Sequence, residues 1–431
     1  MRFIILALDQ RAAALAAALK EKNMRKQVVL SLMAASLLVP SFAFAQDATE
    51  EARIGDLVIG QDIAERCAVP ANLPETVTLG AVFGLSGPIS VYGGPQRQAV
   101  ELAVQQVNDL GFLGEGVTLE VIFEDSTGDA TQAISAVTKL VDQDNVVAVI
   151  GPTLSTEAVA AAPVAQEAGI PIMGVSNTAS GLRDLIGDYY FRDSLPEAVV
   201  IPGTIEQATA ALGLTQVGVL YGSDDDFTLS GYDVFIEALE ANGVTILGEE
   251  TFARGDVDFS AQLTNLIGQS PDALVVSALA AEATQIIVQA RQQGYTGPII
   301  GGNGFNSPAV LTNAGADAEG LIVGGAWNIG NPDPSPSSNQ FVDVFTSVTT
   351  NPPDQFAAQA YTGAWLLASA IRCADSVEPE AVRDAIGALT DVETPLGLFS
   401  FDEAGEPVHP PIAQVVVDGA FVPLASQITG E

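Results

Sequence analysis

The sequence predicts an α/β protein of two similar lobes, each a parallel sheet covered by helices on both faces. Three observations lead there. From Thr76 onward, short β-branched runs that end in glycine, proline or small polar residues alternate with longer, Ala-rich amphipathic stretches; this is the pattern of βαβ units. The alternation comes as two successive sets, the first ending near Arg192 and the second opening near Ala198. At 431 residues, 48% hydrophobic and with 41 glycines, the chain has length for two domains and apolar content for their cores.

Taken in order, Met24-Arg-Lys-Gln opens a secretory signal. A basic start precedes the apolar run Val28–Val39, and Ala43-Phe44-Ala45 supplies the small-x-small cleavage pattern before Gln46. Residues 1–45 are therefore the expected signal region, with Met24 the expected initiator and cleavage after Ala45. No later stretch reaches the ~20 apolar residues that span a bilayer. Residues 46–75 are acidic and aperiodic, an extension that is either a mobile arm or an edge cover.

The first set reads strand Val77–Phe83, helix Gly94–Asn108, strand Val117–Glu124 and helix Ala130–Val141. Then comes Val146–Ile150, too short and β-branched for a helix and stopped by Gly151-Pro152. Ser155 or Thr156 is expected to N-cap the Ala-rich helix that follows, whose free N–H groups suit a carboxylate. Ile170–Gly174 is the next strand, with Ser176, Asn177 and Thr178 just past its end, where parallel sheets bind ligands. The plainer reading of Ser155 and Thr178 is helix capping alone.

The second set reads helix Ala198–Leu212, strand Gln216–Tyr221, helix Leu229–Ala241, strand Thr245–Thr251, helix Phe259–Ile267 and strand Ala273–Ser277. Helix Glu282–Gln293 and strands Pro298–Gly301 and Leu321–Ala326 follow. Asp258 or Ser260 is the expected N-cap of the helix around Leu263. After a Pro-, Asn- and Ser-rich loop come helices Gln340–Val348, Gln355–Cys373 and Pro379–Ala388, then strand Gly397–Phe401. Ala413–Val417 and Phe421–Leu424 form a hairpin across Asp418-Gly419.

Composition removes several functions. The formal charge is −37, and Lys139 is the only lysine beyond residue 45; nucleic acids and anionic membranes both require basic patches. With Cys67, Cys373 and His409 as the whole stock of cysteine and histidine, zinc sites and Ser-His or Cys-His catalysis lack their usual residues. The two cysteines either form one disulfide or stay free, and spacing alone does not choose between these. No GxxxxGK[ST] or GxSxG occurs, and Gly301-Gly302-Asn303-Gly304 lacks GxGxxG spacing. Asp224-Asp225-Asp226 has no glutamate at EF-hand spacing and reads as a solvated turn. No cofactor or metal is expected, and the residues favour binding without chemistry.

VIGPTLSTEAVAAAPVAQEAGIPIM, with VTLGAVFGLSGPISVYGGPQRQAVELAVQQVN before it and GDVDFSAQLTNLIGQSPDALVV after it, resembles the leucine/isoleucine/valine-type solute-binding proteins of bacterial ABC importers. The resemblance covers roughly Thr76 to Leu424. It implies a type I periplasmic binding protein: two Rossmann-like lobes joined by a three-stranded hinge that closes like a clamp. Lobe 1 would comprise 76–195 plus 326–398 and lobe 2 196–325 plus 399–425, with crossings near 195, 325 and 398. The implied partners are a small-molecule ligand and a membrane permease with its ATPase, the protein itself being a periplasmic monomer.

Carried over position by position, the carboxylate-holding residues fall on Ser155, Ser176 and Thr178, and the aromatic wall on Tyr92, with Phe356 adding a second surface. All three donors are neutral, so an anion would be held by dipoles. Ordinary packing is the plainer reading of Tyr92 and Phe356. The second lobe departs from the amino-acid pattern. Phe227 stands where a tyrosine is frequent, Leu279 lies in a loop without the usual aromatic, and Asn303 replaces an acidic residue. Asp224 would supply the missing charge if its loop folds inward, and Trp327 is a further candidate for contacting a flat ligand. An amino acid, an amide and a small carboxylate all fit these residues. A ligand-sensing clamp in a signalling system is the alternative function; a carboxylate-based α/β enzyme and a repressor fit less well, the latter lacking a basic helix-turn-helix.

Overall fold

The computed structural model describes residues 57–331 and 333–425. The expected signal region and the start of the expected extension lie outside them.

The first sheet consists of β1 (Thr76–Phe83), β2 (Thr118–Asp125), β3 (Ala148–Ile150), β4 (Ile172–Gly174) and β5 (Tyr190–Arg192), all parallel, in the order β2-β1-β3-β4-β5. Its short inner strands β3 and β4 are buried throughout, which is why they read as unbroken apolar runs. Helices α1 (Gln61–Arg66), α2 (Ser90–Asp109), α3 (Ala130–Asp142), α4 (Ser155–Ala168) and α5 (Leu182–Ile186) lie around it. One face packs Leu79, Ala81 and Phe83 against α2; the other packs Val82 and Val149 against Val137 of α3 and Ala161 of α4.

The start of α4 differs from expectation. Leu154, with extended backbone, is the N-cap, and Ser155 is the first helical residue. The capping is done by Glu157, whose Oε2 accepts the Leu154 N–H at 2.9 Å. A glutamate at the third helical position often reaches back in this way. Ser155 Oγ instead accepts the Ala179 N–H at 3.2 Å.

The second sheet repeats the plan. After α6 (Glu197–Leu212) come β6 (Gln216–Gly222), α7 (Asp226–Ala241), β7 (Thr245–Phe252), α8 (Ser260–Ile267), β8 (Ala273–Ser277), α9 (Ala280–Gln292), β9 (Ile299–Gly301), α10 (Pro308–Ala314) and β10 (Ile322–Gly325). The order β7-β6-β8-β9-β10 matches that of the first sheet, and the hairpin strands Ile412–Val417 and Ala420–Pro423 extend it antiparallel at the β10 edge. For α8, Phe259 is the N-cap and Asp258 accepts the Ser260 N–H at 3.0 Å.

Three passages join the sheets. The chain leaves β5 for α6, then leaves β10 for α11 (Pro336–Val348), α12 (Gln355–Ala374) and α13 (Pro379–Gly387). A small antiparallel sheet of β11 (Val392–Thr394), β12 (Gly397–Phe401) and β13 (Pro407–Val408) follows, before β14 (Ile412–Val417) and β15 (Ala420–Pro423) return to the second sheet. The third passage therefore falls between Val408 and Ile412, later than the expected 398. Phe399 and Phe401 explain the shift: both are buried in the core of the first lobe.

The segment from Leu57 to Glu75 acts as a cover on that lobe. Cys67 is disulfide-bonded to Cys373 near the end of α12, with 5.0 Å between their Cα atoms. Around the bond, Asp375 accepts the Ala71 and Asn72 N–H groups at 2.7 and 2.8 Å, and Arg372 donates to the Cys67 and Phe112 carbonyls. Trp365, fully buried in α12, packs edge-on against Phe112.

Candidate functional site

In both sheets the strand order reverses beside the first strand of the set, so the loops after β1 and β3, and after β6 and β8, diverge there. Such a switch point opens a crevice at the carboxyl ends of the strands. The two crevices face each other and supply equivalent positions. Tyr92 and Phe227 stand in the first turns of α2 and α7, Ser155 and Ala280 begin α4 and α9, and Ser176 and Asn303 follow β4 and β9.

Between them lies a cavity of about 20 Å³ lined by residues of both lobes. Seven expected residues line it: Tyr92, Ser155, Ser176 and Phe356 from the first lobe, and Phe227, Leu279 and Asn303 from the second. Thr153, Leu154 and Gly304 complete the lining. Apolar and aromatic rings make one wall, with Tyr92 and Phe356 ring centroids 4.6 Å apart. Thr153, Ser155, Ser176 and Asn303 add neutral polar groups to the lining. The first N–H groups of α4 have no intrahelical partner, and the helix dipole adds partial positive charge there.

The hydroxyls of the lining are held in place. Ser176 Oγ donates to the Thr153 carbonyl at 2.6 Å and accepts from Gln96 Nε2 at 2.8 Å, while Thr153 Oγ1 donates to Gln96 Oε1 at 2.8 Å. Gln96, wholly buried in α2, thereby fixes two loops at once.

Several bonds tie one lobe to the other. The Tyr92 hydroxyl accepts the Ala280 N–H at 2.6 Å and donates to the Gly304 carbonyl at 2.8 Å. Gln355 Nε2 donates to Asn303 Oδ1 at 2.6 Å. Thr156 Oγ1 donates to Asp225 Oδ2 at 3.0 Å and accepts the Asp226 N–H at 2.8 Å, and the Ser180 N–H reaches Ser230 Oγ at 2.8 Å. Gly304 lets the loops after β8 and β9 pack closely within the second lobe: a Cβ there would lie 2.3 Å from the Ala278 carbonyl oxygen. Gly93 likewise lets the start of α2 pack on the loop after β1, since its Cβ would meet the Gly84 carbonyl oxygen at 2.2 Å.

Thr178 and Trp327 are not brought to the cavity. Thr178 Oγ1 turns away to donate to Glu197 Oε1 at 3.0 Å. Trp327 belongs to the second passage, where its Nε1 donates to Ser338 Oγ at 2.9 Å and its ring meets Phe341 edge-on. Asp224 does not line the cavity either; it accepts the Arg254 N–H at 2.8 Å.

Glu197, missed from sequence, is the ionisable group that bridges the site's surroundings. It is 1% exposed, accepts from Thr178 Oγ1 and from the Asn303 N–H at 3.4 Å, and leaves Oε2 without a partner. Burial raises its carboxyl to about 7, against the pull of those two donors. A carboxyl raised on folding stays protonated in the fold while the unfolded chain ionises. Its contribution is full below the ordinary 4.5 and is lost as pH rises through about 7. His409, pushed down to about 4 by burial, acts in the opposite sense below its ordinary 6.5. Glu197→Gln isolates the first effect: unfolding by denaturant at about pH 5 and pH 8 should show the variant losing roughly 2 kcal/mol less than the parent. An identical loss in both would mean that Glu197 ionises normally in the fold.

A profile of the family described as periplasmic binding protein matches residues 76–420. The Leu/Ile/Val-binding protein BraC3 of Rhizobium johnstonii is 26% identical over 337 residues, 77% of this chain and 88% of the relative. Among solved structures, the branched-chain amino acid transporter substrate-binding protein LivJ of Streptococcus pneumoniae, in complex with isoleucine, is 29% identical. The match covers 80% of this chain and 97% of that one, with a TM-score of 0.75. A solute-binding protein of R. palustris in complex with benzoate shares the fold at 22% identity, with a TM-score of 0.74 over 81% of this chain and 95% of that one.

Proposed function

Because this chain belongs to the periplasmic binding protein family, a family that binds solutes without transforming them, we propose that it captures a small solute between its lobes for an ABC importer. The lobes would be 76–195 with 326–408, and 196–325 with 412–425, closing about the three passages. In the closed form, the protein would hand its solute to a membrane permease from the periplasm. The observation that carries this reading is the convergence of Tyr92, Phe356, Ser155 and Ser176 of the first lobe with Phe227 and Asn303 of the second around one cavity at the facing switch points; at about 20 Å³ it holds about one water, so the lobes would part to admit the solute.

The solute we favour carries a carboxylate or a carboxamide on a compact aliphatic or aromatic body. Neutral hydroxyls and the α4 N-terminus suit such an oxygen. Asn303 adds to this preference. Its Oδ1 already accepts from Gln355 Nε2 and, at 3.3 Å, from Asn306 Nδ2, so both lone pairs are engaged and its amide offers a donor. An ammonium would meet no counter-charge from Asn303. The second reading is a branched-chain amino acid, favoured by the named ligands of the relatives.

A thermal-shift panel of branched-chain and polar amino acids, short amides, and aliphatic and aromatic carboxylates tests both. At a hundredfold excess over Kd, a true solute adds about 2.7 kcal/mol of stability. Shifts from carboxylates or amides are the expected result. Shifts from α-amino acids alone would favour the second reading, and no shift from any member would count against solute capture of this class.

A further inference from the structure

We propose that Arg254 is an electrostatic latch: it reaches from the second lobe to the first, offsets carboxylates that closure buries, and so sets solute affinity without touching solute. This rests on solute capture in the cleft and adds a positioning residue to it. Arg254 and Arg291 are the only cations among residues 196–325 and 412–425 of a strongly acidic chain. Arg291 is consumed within its own lobe, where it donates to the Asp317, Tyr295 and Gly297 carbonyls at 3.2, 3.0 and 2.7 Å. Arg254 points across the cleft instead.

The loop after β7 is built to present it. Three consecutive N–H groups, of Ala253, Arg254 and Gly255, donate to Asp256 Oδ2, Asp224 Oδ1 and Glu282 Oε1 at 2.8, 2.8 and 2.7 Å. The guanidinium of this half-buried side chain lands on Gly128, in the loop after β2 of the first lobe. A Cβ at Gly128 would lie 2.8 Å from Arg254 Nη2. With φ of 79°, Gly128 both makes its turn and leaves the seat open. No hydrogen bond or ion pair joins the guanidinium to a described residue, so it acts through its field.

That field falls on acids of both lobes. Glu157 of the first is fully buried; its Oε2 holds the Leu154 N–H, and its Oε1 has no partner. Glu282 stands at the same position of α9 in the second, and its Oε2 is likewise unpartnered. Asp225, 3% exposed, takes the Thr156 hydroxyl from across the cleft. Arg254, Asp225 and Glu282 line one recess. Burial pushes the Glu157 and Asp225 carboxyls up, and the charge of Arg254 pulls both back. Closing the lobes thus takes carboxylates out of water at one spot, a cost that is severe without a compensating cation. Parting them separates Arg254 from Glu157 and returns water to each.

Two readouts test the latch, one with solute and one without. The first is the affinity of whichever of benzoate and isoleucine binds the parent. The second is a trapping rate. Ser180→Cys with Ser230→Cys puts thiols at a contact between the lobes, where the Ser180 N–H meets Ser230 Oγ at 2.8 Å. Oxidation of that pair by diamide in solute-free protein reports how often the lobes close. Arg254→Gln should weaken binding and slow trapping by about tenfold or more, whereas Arg254→Lys, which keeps the charge, should stay within about threefold. In a Glu157→Gln background, whose amide oxygen keeps the Leu154 cap, the Arg254→Gln effect should shrink at least about threefold. A guanidinium that merely packs on Gly128 would show neither the rescue by lysine nor the dependence on Glu157. Three outcomes overturn the proposal: trapping unchanged by Arg254→Gln, equal losses from lysine and glutamine, or an Arg254→Gln effect indifferent to Glu157. If neither solute binds while trapping still slows, solute capture falls and the latch stands as a closing device.

Discussion

Replacing Cys67 and Cys373 together by serine is expected to lower the free energy of unfolding by roughly 3–5 kcal/mol. The two residues are 306 positions apart, so the bond restrains nearly the whole described chain when unfolded. It also pins the cover segment, together with the Asp375 and Arg372 hydrogen bonds around it. Gly60, in left-handed conformation, sits against Trp365, and the Val58 N–H donates to Gln340 Oε1 at 2.7 Å. With the bond gone, Leu57–Glu75 should become the first site of proteolytic cleavage. Denaturant unfolding with and without reductant measures the effect, and reductant should bring the parent down to the variant. Equal midpoints under both conditions would show that the bond contributes nothing to the folded lobe.

Tyr92→Phe is expected to weaken solute binding by a factor on the order of 30–1,000, equivalent to roughly 2–4 kcal/mol. One hydroxyl serves the Ala280 N–H and the Gly304 carbonyl, both on the opposite lobe, and the side chain is 2% exposed. Without it, closing the lobes buries an N–H and a C=O with no partner, a penalty absent from the open form. Folding of each lobe should change little, because the contact lies between them. Titration calorimetry with the best solute of the panel supplies the number. An unchanged affinity would mean that closure does not depend on this contact.

Most of the architecture is legible in the sequence because it rests on local signals. Buried parallel strands appear as short apolar runs, and Asp418-Gly419 announces its turn; both residues adopt positive φ, 52° and 76°. The cavity residues follow from their places after successive strands and from resemblance. What escapes depends on contacts distant in sequence. Ser155 looks like a cap, and only the fold reveals that Ala179 takes its hydroxyl while Glu157 does the capping. Thr178 resembles a ligand donor until Glu197, on the crossing that follows, is seen to accept its hydroxyl. Gln96 gives no warning, being one polar residue in a helix otherwise read by its apolar face. Trp327 does lie beside a crossing, yet its indole is bonded to a helix that begins at Pro336, earlier than the Gln340 start read from periodicity.

The central claim is that solute is gripped where the two switch points face each other. A crystal structure of the protein saturated with the solute that shifts its midpoint most tests this directly. Electron density for that solute is expected between Tyr92 and Phe356 on one side and Phe227 and Asn303 on the other, with an oxygen against Ser155. Density for it anywhere outside that cavity, with the cavity walls unchanged, would contradict the claim.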